Sequence, residues 1–265
     1  MYTELKKTNT LFHSIREYSN LKNIISDKGF RASYADESIA GYNVKILMIS
    51  FSNVALLESQ SQVNYGNYTI GLTLKWGIKN GLEPVMYTYN ESYMGATFFE
   101  NYFVAAKDSA ILKVLQDKGK TDSANFGLVL DLDQISENSY NMLMHLKPYV
   151  VTNKSGKEFI AYNDREWRYL CKIENSHSAI FEKSYVHGAY NPLYMEAQSF
   201  PKPYTPNPVL LFELDDIKYV VVEHKSQKRE IFELLQESFG KDEVMKKNID
   251  GDLDILSRDT MWNNL

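Results

Sequence analysis

The hydrophobic and polar positions along the chain change period several times. "SNLKNIISDKGF" places Leu21, Ile24 and Ile25 on one helical face, with Asn20 as a candidate cap and Gly29 as the stop. "VKILMISF", Val44 to Phe51, is a compact apolar run and predicts a buried strand. "YGNYTIGLTL" opens with turn chemistry at Gly66–Asn67 and then alternates through Ile70, Leu72 and Leu74. "KWGIKNGLEPVMYTY" reads as a helical turn stopped at Gly81, then a strand from Pro84 to Tyr89. Between Ala96 and Gln116 the positions Phe99, Phe103, Ala106, Ala110 and Val114 recur at helical spacing and predict an amphipathic helix packed on a sheet. A second helix is expected over "SENSYNMLMHL".

The second half returns to strands. "FIAYNDREWRYLCKI", Phe159 to Ile173, alternates like a strand while carrying four charges in its middle. On that reading Asp164, Glu166, Arg168 and Leu170 share one face, and Arg165, Trp167, Tyr169 and Cys171 the other. "FPKPYTPNP" is an extended loop, and "VLLFEL", "KYVVVE" and "REIFELLQESFG" read as strand, strand and helix. With strands at both ends, helices between them and no linker or repeat, the pattern predicts one α+β domain over residues 1–265.

Composition narrows the class. A chain of 265 residues that is 44% hydrophobic and 24% charged is globular, not disordered. Its net charge of −5 argues against a general nucleic-acid scaffold. Cys171 is the single cysteine, which removes disulfide frameworks and cysteine-based zinc sites, and the five histidines show no metal-ligand spacing, so no metal is expected. The start of the chain lacks the apolar core of a signal peptide and no long apolar run follows, so a cytoplasmic protein without membrane contact is expected. P-loop, dinucleotide-fold and hydrolase-elbow motifs are absent. The acidic "DGDLD" near the end has Ile255 where the spacing of a calcium loop needs its glycine, and it lacks the terminal glutamate.

Two polar strand segments remain, one around His13 and the other "DREWRY". With "HSIREYSNLKNIISDKGFRASYADE", "MISFSNVAL", "YGNYTIGLTLKWGIKNGLEPVMY", "YNDREWRYL" and "DIKYVVVEHKSQK", the chain resembles the AbiGi family of bacterial abortive-infection proteins, usually labelled antitoxins. It departs from the family pattern at His13–Ser14–Ile15, where His-Phe-Thr is usual, and at Ser52–Asn53, where Cys-Asp is usual. The order of parts is also similar to the ADP-ribosyltransferase fold of DarT-like toxins, which implies a split β-sandwich with helices inserted in the middle and at the C-terminus, holding NAD in its cleft. That resemblance implies that His13 binds a ribose of NAD, with Ser14 beside it, and that Tyr65 or Tyr68 supplies the cleft's aromatic ring. Arg16 or Arg168 would hold the pyrophosphate. Glu166 would be the catalytic late-strand acid, and Asp164 would orient the nucleophile of a macromolecular acceptor. A carboxylate fixed beside the ribose suits the positive charge that builds as the glycosidic bond breaks.

Two alternatives stay open at this level. Glu166, Arg165 and Arg168 also fit a structural ion-pair strand. The family label fits a catalytically silent antitoxin that restrains a partner toxin.

Overall fold

The computed structural model describes residues 8–39, 42–56, 65–89, 92–118, 125–152, 156–171, 179–181 and 205–262. The chain runs through β1 (Thr10–Ile15), α1 (Tyr18–Ser26), β2 (Gly29–Phe30), β3 (Ser33–Ile39), β4 (Tyr42–Ser52), β5 (Tyr68–Thr73) and α2 (Leu74–Lys79). Next come β6 (Glu83–Pro84), β7 (Met86–Thr88), α3 (Tyr93–Asp117), α4 (Asn125–Met144), β8 (Leu146–Pro148), β9 (Val150–Thr152) and β10 (Glu158–Ile160). A 3₁₀ turn (Ala161–Asp164) leads into β11 (Glu166–Leu170), followed by β12 (Ala179–Phe181) and β13 (Leu210–Leu211). β14 (Ile217–Val222), α5 (Lys228–Phe239), α6 (Lys241–Ile249), β15 (Asp254–Ser257) and α7 (Arg258–Trp262) complete it.

The α+β expectation holds. The main sheet has the order β15-β14-β5-β1-β4-β11-β6, with β3 and β12 also paired to β4. Its pairings are antiparallel except β14 with β15. The apolar run in β4 follows from burial on both faces. Leu47, Ile49 and Phe51 enter a core with Leu21 and Ile25 of α1 and Ile231 and Leu235 of α5, whereas Val44, Ile46 and Met48 enter a second core with Tyr102 of α3 and Tyr140 and Leu143 of α4. Helices therefore cover both sides of this sheet, and a strand between two cores has no polar face to alternate.

Several local expectations shift. α1 starts at Tyr18, ahead of Asn20, and Lys28 takes the left-handed conformation (φ 50°) after it. Gly29 has a different duty: a Cβ there would lie 2.7 Å from Leu211 Cδ2, so glycine allows β2 to pair with β13. The strand expected from Pro84 to Tyr89 divides between two sheets, β6 joining β11 and β7 running parallel to β8. α4 is longer than its expected second half. α3 forms, but its inward row is Tyr102, Ala105 and Ser109, while Val114 of the expected stripe is half exposed and Ala110 is exposed. Phe103 is only partly buried, and the side chain of Phe99 lies outside the described residues. Residues 200–204 of the proline-rich loop lie outside them as well.

Candidate functional site: a cleft where the sheet splits

β1 and β4 pair at Phe12 opposite Ser52 and then part. A cavity of about 550 Å³ opens in the gap, within the size range of small-molecule sites. His13 to Arg16 line one side, Met48 to Ser50 the other, and α1 contributes Asn20 and Asn23. His13 bridges the gap: its Nδ1 lies 2.8 Å from the Ser50 carbonyl, and its ring packs against Phe30 and Phe51. Enclosure of the ring lowers its pKa, partly offset by the carbonyl contact, so the imidazole is neutral at pH 7. A neutral ring that donates from Nδ1 presents Nε2 as an acceptor. Arg16 is exposed at the cavity and forms no ion pair among the described residues.

Tyr65 lines the same cavity, and its hydroxyl donates to Asp164 Oδ2 at 2.7 Å. The next residue makes this placement possible. Gly66 has φ +144°, and a Cβ there would come within 2.1 Å of the Ile15 carbonyl oxygen. Burial raises the Asp164 carboxyl above its ordinary range, with the Tyr65 hydrogen bond opposing, and burial beside Asp164 raises the Tyr65 phenol strongly.

Behind Asp164 lies a buried charge cluster. Glu166 is 5% exposed; one carboxylate oxygen accepts from Arg168 Nε at 2.6 Å and the other from Lys147 Nζ. Arg168 is fully buried, with Nη1 donating to the Met144 carbonyl at 2.7 Å and Nη2 to Glu37 at 2.9 Å. The Glu166 backbone N–H donates to the Tyr87 hydroxyl. Burial alone would push the Glu166 carboxyl up, but Arg168 and Lys147 outweigh it and hold the group well below the usual carboxylate range. Two carboxylates thus balance two cations, and each ion is hydrogen-bonded.

The sequence-derived residues therefore divide into separate places. His13, Ser14, Arg16 and Tyr65 meet at the cleft. Tyr68 is buried elsewhere, bonded to Glu223 and Gln227. Asp164 is not on the strand face of Glu166: it closes the 3₁₀ turn, Arg165 is left-handed (φ 44°), and β11 begins only at Glu166. His13 and Glu166 do not face each other across one cleft. Phe12, Ser52 and Glu166 are in register across three strands, so they point to one face, and His13, next to Phe12, points to the other. Arg168 is occupied on all three nitrogens, which leaves it unsuited to a pyrophosphate. Glu37, Lys147 and Tyr87 were missed. Each sits in a strand whose pattern carries no mark of a partner more than a dozen residues away.

Among the described residues no group of His, Cys, Asp and Glu is arranged to hold a metal ion, and no helix is long and apolar enough to cross a membrane. A sequence model of the family described as "Putative abortive phage resistance protein AbiGi, antitoxin" matches residues 21–223. The abortive phage resistance protein AbiGi of Lactococcus lactis subsp. cremoris is 24% identical over 178 residues, covering 63% of this chain and 64% of that protein. The chain thus spans a little under two thirds of that relative. No solved structure matches it.

Proposed function

The chain belongs to the AbiGi family, and on that footing we propose that it serves abortive phage resistance as an antitoxin, restraining a partner toxin by binding instead of transferring ADP-ribose. One observation carries this choice: the acid that transfer requires is sealed. A carboxylate that stabilises a ribosyl cation has to touch the sugar. Glu166 is buried, both its oxygens are bound to Lys147 and Arg168, and it lies on the sheet face opposite His13. Freeing it would strand two cations in the interior. The test incubates the purified full-length chain with NAD and measures released nicotinamide, alongside growth of cells producing a toxin encoded beside it, with and without the chain. Absent turnover and restored growth are expected. Steady nicotinamide release would overturn this reading.

A second reading rests on the cleft itself. An ADP-ribosyltransferase-like split sheet would seat NAD between β1 and β4, with Arg16 on the pyrophosphate and His13 Nε2 accepting from a ribose hydroxyl. The volume of about 550 Å³ and an exposed Arg16 with no ion pair among the described residues support it. NAD titration by calorimetry against the parent and Arg16→Ala tests this, and heat from the parent that is lost in the variant is the expected result. No heat from the parent would discard it.

A further inference from the structure

Helices α3 and α4 are apolar on two sides. Their inner rows, with Tyr102, Tyr140 and Leu143, bury against the sheet. On the outer side of α4, Leu128, Ile135 and Met142 recur every seven residues and stand 48%, 47% and 42% exposed. Val104 and Ile111 of α3 repeat the same spacing, again about half exposed. Side chains at this spacing supply one of the two positions per heptad at which a second helix packs, with Asp131 and Asn138 at the other. Among the described residues this row stays about half exposed, and exposed apolar surface costs solubility.

Charge says what kind of helix fits. α4 carries Asp131, Asp133 and Glu137 and neither Lys nor Arg. The two helices together hold six carboxylates against two lysines, a net −4 in a chain whose total is −5. Asp131 flanks the apolar row and has no ion pair among the described residues. A second copy of the chain would set one all-acidic helix against another, and like charges across an interface are unfavourable. An anionic membrane surface is disfavoured for the same reason.

We infer that the outer face of α4 is the docking surface for the partner: an amphipathic helix with an apolar heptad row and basic flanks lies along Leu128, Ile135 and Met142. The row spans about 21 Å at the helical rise, so the partner helix has about four turns or more. This deepens the restraint reading and rests on it, since it names the surface through which restraint acts.

The probe is a labelled synthetic peptide three heptads long, with Leu at the apolar positions and Lys on the flanks; a Glu-flanked copy is the control. Fluorescence anisotropy with the full-length chain should show the Lys peptide bound and the Glu peptide not. The double variant Ile135→Glu, Met142→Glu should weaken binding at least about tenfold, as loss of central interface anchors does. Its melting temperature should stay near that of the parent, because both positions are already exposed. Asp131→Lys should also weaken binding. Failure of the parent to bind, equal affinity for the two peptides, or full binding by the double variant would overturn the proposal. So would sedimentation showing a dimer that the double variant dissociates. Growth of cells co-producing a toxin encoded beside the chain separates the two readings. If the double variant restrains that toxin as well as the parent does, the surface is wrong and restraint stands. If the parent restrains nothing yet binds the Lys peptide as described, restraint fails and the surface stands.

Discussion

Replacing Glu166 with Gln would remove the carboxylate that touches both Lys147 and Arg168 while keeping nearly the same shape. Two buried cations would then face Glu37 alone, so Glu166→Gln should lose about 3–5 kcal/mol of stability, read from urea unfolding. A variant as stable as the parent would show that the cluster is not structural. His13 contributes differently. Its folded pKa lies below the ordinary 6.5, so the unfolded chain binds more protons in between. The contribution is full above about pH 6.5 and is lost as pH falls below it toward the folded value. The melting temperature should therefore fall between about pH 7 and pH 5, less steeply in His13→Gln. Parallel pH profiles for the two proteins would contradict this. Both residues are prominent in the sequence, but only the register across Ser52 shows that they serve opposite faces.

At the scale of elements, α3 separates helical period from helical phase. The period was legible in the sequence because apolar residues recur along the helix. The phase was not, because α3 has apolar residues on two sides and the outer row looks as much like a core as the inner one. Tyr102→Ala should cost about 3–5 kcal/mol, as for a buried aromatic side chain. Phe103→Ala should cost clearly less, since its ring is only partly buried. Equal losses in chemical denaturation would reject the observed phase. The "DREWRY" segment teaches a related point. Its alternation is real from Glu166 to Leu170, but the left-handed Arg165 breaks it just before, which removes Asp164 from the strand and delivers it to Tyr65.

Over the whole molecule, β4 is the organising strand, paired with β1, β3, β11 and β12 and covered by a core on each face. Its amides should exchange with solvent most slowly, and those of β15, at one end of the strand order, measurably faster. Exchange at β4 as fast as at β15 would mean that the two cores do not act together. The sequence by itself determined what local chemistry decides: the buried β4, the strands β5 and β14, the helix α5, the α+β class and the family pattern. Those follow from side-chain periods read over a few residues. The tertiary structure alone decided the opening between β1 and β4, the sealing of Glu166 and Arg168 by Lys147 and Glu37, and the separation of Asp164 from their face. Each depends on partners far apart in the chain, such as the Ser52 hydroxyl donating to the Asp164 carbonyl across 112 positions. A period tells a strand which of its side chains share a face, but strand pairing and register decide what that face meets.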